Sequence, residues 1–114
     1  MTPIARSMKW LRDKGFIVCR VEQRLHMPKS PFPITKDAFG FGDLLAADGG
    51  DCGNRIYLVQ VTSRGNMSAR RAKIGAEPLA AQWKLRGGRI LLQGWSKKGP
   101  RGKRKTWQIE QVEL

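Results

Sequence analysis

Acidic side chains are scarce in this chain. Nine Asp and Glu stand against 22 Lys and Arg, a formal net charge of +13 over 114 residues. That balance points to a polyanionic partner, most often nucleic acid. Cysteine and histidine are scarcer still. Cys19, Cys52 and His26 are too few for a disulfide scaffold or for a four-ligand structural zinc site. Long apolar runs are missing, and nothing approaches the ~18 residues of a membrane span. No long basic amphipathic helix suggests a membrane surface either. Met1-Thr2-Pro3-Ile4-Ala5-Arg6 leads into charges and not into an apolar stretch, so no signal peptide is visible. The expectation is a reduced, cytoplasmic chain without a membrane partner, with Cys19 buried in an apolar run and Cys52 in a loop. Hydrophobic residues, at 40%, are not lacking, so a packed core is expected. The length suits one domain spanning residues 1–114.

The elements follow from punctuation and periodicity. Thr2-Pro3 is a helix start, and Ile4, Met8 and Leu11 form an apolar stripe, so a helix is expected over 3–14 with Gly15 as its stop. Residues 16–22 read as a buried strand. Pro28, Pro31 and Pro33 make 26–38 a loop, long enough to suggest a function. Residues 39–47 read as a strand, 48–54 as a turn, and 55–63, RIYLVQVTS, as the clearest strand in the chain. Pro78 divides a helical stretch into 68–75 and 78–86. A strand over 89–95, a basic turn over 97–105 and a strand from Thr106 complete an α-β-β-β-α-β-β order. In the last strand Trp107 and Ile109 share one face and Val112 and Leu114 the other, a phase slip that suggests a bulge or a fraying end. The order predicts an α/β fold with a mixed sheet flanked by helices.

Strand alternation places Gln60 and Thr62 on one face of 55–63, beside Ile56 and Leu58. If 39–47 pairs with that strand through the 48–54 turn, Asp43 meets Gln60. An Asp facing a polar pair near a strand end suits a hard cation such as Mg²⁺, which takes carboxylate, carbonyl and water oxygens. Glu22, at the end of the first strand, is a third candidate. His26 reads as a loop residue. Trp10, Trp83, Trp95 and Trp107 read as packing residues and not as stacking platforms.

Gly42-Asp43-Leu44-Leu45-Ala46 followed by Val59-Gln60-Val61-Thr62-Ser63 resembles the PD-(D/E)XK nuclease superfamily. The likeness is closest to its small Holliday-junction-resolvase-like and phage-type members. It covers roughly residues 4–96 and extends to Arg70-Arg71-Ala72-Lys73 and Gly94-Trp95. The resemblance implies the restriction-endonuclease-like αβββαβ core and a Mg²⁺- or Mn²⁺-dependent nuclease. Asp43, Gln60 and the Val61 carbonyl would then hold the metal, with Glu22 as an auxiliary acid. Gly42 stands where the family has proline, Gln60 where a second acid is usual, and Thr62 where a lysine is usual. A hydroxyl cannot supply the lysine's charge at the phosphate. Lys73, with Arg70, Arg71 and Arg64 behind it, is the candidate replacement. Superfamily nucleases are often dimers, which implies a possible homodimer.

The positive excess is uneven. Residues 1–63 carry nine basic and six acidic side chains, residues 64–114 thirteen and three. Lys97, Lys98, Arg101, Lys103, Arg104 and Lys105 crowd into nine positions and are expected to contact phosphates, as are Arg64, Arg70 and Arg71. The leading reading is a DNA endonuclease or resolvase-like enzyme, with DNA favoured over RNA. One rival is the same fold with its catalytic set eroded, binding nucleic acid only. The other is a small basic protein of a ribonucleoprotein assembly, which predicts no inward cluster of Glu22, Asp43 and Gln60.

Overall fold

The computed structural model describes residues 1–25, 28–29, 31, 34–49 and 55–114. His26, Cys52 and most of the expected 48–54 turn lie outside the described residues. The chain forms an α/β fold around a five-stranded mixed sheet. Helix α1 (Pro3–Asp13) leads into β1 (Ile17–Arg20). A small hairpin, β2 (Gln23–Leu25) and β3 (Ile34–Lys36), precedes β4 (Leu44–Asp48) and β5 (Arg55–Ser63). Helices α2 (Met67–Ala76) and α3 (Pro78–Leu85) then cross to β6 (Arg89–Lys98), which turns back into β7 (Thr106–Glu113). The sheet order is β1-β4-β5-β6-β7, with β5 and β6 parallel and the other neighbours antiparallel. No helix among the described residues is long and apolar enough to cross a membrane.

Each face of the sheet is covered by different helices. Tyr57, Val59 and Val61 of β5 pack with Leu11 of α1 and with Leu44, Ala46, Leu91 and Trp95. Leu58, on the opposite face, packs with Phe41, Ile74 of α2, Ala80 of α3 and Ile90. The alternation of RIYLVQVTS is therefore the division between two core layers. α1 starts where Thr2 Oγ1 accepts from the Ala5 N–H, with Pro3 in its first turn. It is fastened to the sheet by a buried bond in which Trp95 Nε1 donates to Ser7 Oγ at 2.7 Å. On the other face, a Cβ at Gly94 would lie 2.3 Å from Met67 Sδ, so this glycine lets the start of α2 rest on β6. Gly94-Trp95 thus serves both layers.

Four expectations are corrected. β1 is an edge strand, not a buried one, and Cys19 on it is exposed. Part of the expected 26–38 loop is strand β3, which pairs with β2 just ahead of that loop. β4 begins at Leu44 and not at Phe39, because Phe39 (φ +55°) and Gly40 (φ +83°) turn the chain tightly first. The phase slip in β7 is neither a bulge nor a frayed end. β6 and β7 pair without interruption from Leu91↔Glu113 to Lys98↔Thr106. Ile109 packs on the α1 layer and Leu114 on the other. Trp107 lies under the Arg6 guanidinium of α1, 3.8 Å from the ring centre. The edge strand simply serves different layers along its length.

Candidate metal centre

Asp43 sits at the mouth of β4, and three features of the chain put it there. Leu44↔Val59 is the first pair of β4 with β5, so Asp43 falls beside Gln60. Val21 N–H donates to the Asp43 carbonyl, and Asp43 N–H donates to Val59 O at 2.9 Å. Ahead of it, Gly42 bridges antiparallel to Ala38. Gly42 N–H donates to Ala38 O at 2.8 Å, and a Cβ there would lie 2.9 Å from Leu58 Cδ2. A proline at this position would lose the bond and meet the leucine, which explains why glycine precedes this aspartate.

The side chain is 4% exposed. Its Oδ2 accepts from Gln60 Nε2 and from the Val61 N–H, both at 2.8 Å. Gln60 therefore acts first as a donor that orients Asp43, and its remaining amide oxygen is the atom by which it would meet a cation. Val61 joins the site through its N–H, while its side chain fills the α1 layer. Thr62 is buried two residues further along the Gln60 face, about 7 Å by strand spacing.

The structure adds an acid that the sequence reading missed. Ligand oxygens of Glu22, Asp37 and Asp43 all lie within 4.8 Å of one another. Asp37 and Asp43 flank the Ala38–Gly42 bridge, so the tight turn between them brings the carboxyls together. The motif Asp37-Ala38-Phe39-Gly40-Phe41-Gly42-Asp43 carried the signal: two acids on either side of a glycine-bearing turn. Burial pushes the Asp43 carboxyl up from its ordinary 3.8 to about 7. The Val61 N–H works against that rise, and the nearby Asp37 and Glu22 add to it. Three hard oxygen donors crowded together, one of them buried, fit Mg²⁺ or Mn²⁺, whose charge would offset their mutual repulsion.

Among the described residues, Arg20 is in contact with the cluster, ion-paired through Nη2 to Glu22 Oε1. Lys73 stands exposed on α2. Arg64 is paired with Glu110 at 2.6 Å, Arg70 is half-buried, and Arg71 lines a cavity of about 590 Å³ between α2 and the β6–β7 ribbon. Lys97 and Lys98 end β6, and Arg101, Lys103, Arg104 and Lys105 follow in the connecting loop, all exposed. Because β5 and β6 are parallel, this basic tip lies beyond the same end of the sheet as the acids. From Leu92, the partner of Gln60, to Lys97 is five residues, about 17 Å along the strand.

Comparison with protein-family models, with curated proteins and with solved structures gives no match.

Proposed function

We propose that the chain is a metal-dependent nuclease of the restriction-endonuclease-like fold, acting on nucleic-acid phosphodiester bonds, with DNA the favoured substrate. The observation that carries the reading is the inward acid cluster of Glu22, Asp37 and Asp43, set in a chain of net charge +13. A surface built only to grip phosphates has no use for three converging carboxyls. With β2 and β3 set aside, the element order α1, β1, β4, β5, α2–α3, β6 is consistent with the αβββαβ core.

Asp43, Asp37 and Glu22 would hold Mg²⁺ or Mn²⁺, with the Gln60 amide oxygen and the Val61 carbonyl as further candidate ligands. A bound cation supplies an activated water and a Lewis acid at the phosphate. The chain's own residues supply the arrangement. Gln60 and the Val61 N–H fix one Asp43 oxygen and leave the other unengaged by these two bonds. Arg20 places a fixed positive charge beside the acids, the electrostatic part that Thr62 cannot fill. The basic tip holds the backbone about five phosphates away, taking one charge per ~3.4 Å of strand.

The eroded-site reading has one observation in its favour: a buried hydroxyl, Thr62, stands where the resemblance calls for lysine. A cleavage assay separates the two. Linear and branched DNAs are incubated with Mn²⁺ and wild type, beside an Asp43→Ala control. The nuclease reading expects products from the wild type alone. Tight binding with no products from either protein would establish the binding module.

A further inference from the structure

Phe39 has a backbone that its side chain disfavours. At φ +55° it lies in the left-handed region, where a bulky aromatic is an outlier. Glycine or asparagine would make the same turn without strain. Nor is the ring spent on the core, since Phe39 is 50% exposed. A strained residue that serves neither the turn nor the interior points to a use outside the fold.

The surroundings indicate which use. The Phe39 ring lies 6.1 Å from Trp83, tilted by 36°. Trp83 is fixed, because its Nε1 donates to Arg89 O at 2.8 Å. Gly88 leaves room for it: a Cβ there would lie 2.1 Å from the indole. With Leu79, Gln82 and Arg86 the two rings line an open, almost wholly apolar cavity of about 280 Å³. Phe39 is at the tip of the turn whose two arms carry Asp37 and Asp43, so its Cα is two residues of chain, at most about 7 Å, from that of Asp37.

We propose that Phe39, backed by Trp83, is a stacking platform for one unpaired nucleobase beside the scissile phosphodiester. The placement beside a scissile bond rests on the nuclease reading. The occupant follows from charge and shape. A chain of net charge +13 draws a polyanion, and the flat apolar part of a nucleic acid is its base. Arg86, at the edge of the cavity, offers charge to the adjoining backbone. Inside a duplex both faces of a base are covered by neighbours, so a base that stacks on Phe39 has left the stack. The substrate class is therefore a strand with an unpaired nucleotide at the cut, such as a single strand, a flap or a junction, and not continuous duplex.

The test is equilibrium binding by fluorescence anisotropy in EDTA, where no cutting occurs. The probes are a mixed-sequence single-stranded oligonucleotide and a blunt duplex of the same length. Phe39→Leu should weaken single-strand binding roughly 5- to 150-fold, the usual range for one base–aromatic stack, and leave duplex binding within about twofold. Phe39→Tyr should bind as the wild type does. Phe39→Gly removes the ring and relieves the backbone, so the same loss in this variant excludes misfolding as the cause. The platform reads no sugar, and the matching RNA strand should lose by a similar factor. Unchanged single-strand binding in Phe39→Leu, or an equal loss on both probes, would overturn the proposal. Binding is then repeated on Asp43→Asn. A Phe39-dependent single-strand preference, together with a wild type that cuts nothing with Mn²⁺, supports the platform and overturns the nuclease reading. Cleavage without that preference does the reverse.

Discussion

The acid cluster and the basic tip lie at the same end of one sheet, yet they are built in opposite ways. Asp43 is buried, bonded through one oxygen to both Gln60 and Val61, and preceded by a glycine that leaves room for Leu58. The residues of the tip are exposed, and their backbone is shaped by Gly102 (φ +80°) and one bond from Lys103 N–H to Pro100 O. On the proposed reading, chemistry at a phosphorus centre would need atoms placed within a fraction of an ångström, and a buried, doubly bonded carboxyl suits that need. Holding a polyanion needs only charge at the right range, which long side chains on an open hairpin supply. The contrast teaches that loss of function in the two regions should differ in kind: a failed step in one, a weaker grip in the other.

The largest effect expected is from Asp43→Ala, which should abolish Mn²⁺-dependent cleavage in single-turnover assays while binding in EDTA stays intact. Gln60→Leu removes the donor that orients Asp43 and should cost roughly 10–100-fold in metal affinity or rate, as loss of an outer-shell partner does. Replacing Lys103, Arg104 and Lys105 together by Ala should lower the slope of log K against log salt by about 2.7, at roughly 0.9 per duplex phosphate contact. The cut rate of bound substrate should hold, because the tip only positions. A collapse of that rate would place the tip in the site and dissolve the contrast.

Smaller effects sharpen the picture. Without metal, Asp43 holds its proton up to about pH 7 in the folded chain, against about 3.8 when unfolded. Its pKa is raised on folding, so the stability it contributes is full below about 4 and is lost as pH rises through 7. Urea midpoints of the metal-free protein should therefore fall between those limits, and saturating Mn²⁺ should reverse the trend by binding the folded state. Asp43→Asn should flatten it. Arg20→Met should slow cleavage more than Lys73→Met, since of these two described residues Arg20 is the one ion-paired to an acid of the cluster. Equal losses would return the missing charge to α2.

How legible each part was depended on how local its cause was. β5 could be read because its alternation is complete and both faces are covered, and from it came the meeting of Asp43 and Gln60. α1 could be read from Thr2, Pro3 and the stripe ending at Leu11. β2 and β3 could not, because three residues a side carry no period and prolines surround them. The last two residues of β6, Lys97 and Lys98, read as part of a basic turn because only pairing with β7 makes them strand. Asp37 escaped because its role comes from a left-handed pair, Phe39 and Gly40, that folds it back onto Asp43. Cys19 was placed inside because an apolar run does not say whether its strand has one neighbour or two.

Calorimetric titration of Mn²⁺ into the protein at pH 6 and pH 8, wild type against Asp43→Asn, tests the central claim most directly. A metal that displaces the proton from a buried carboxyl binds more tightly as pH rises through 7. The expected result is one site in the wild type, tighter at pH 8 than at pH 6, and little or no heat from Asp43→Asn. The same affinity in both proteins, or no binding to the wild type at either pH, would contradict a metal centre at Asp43.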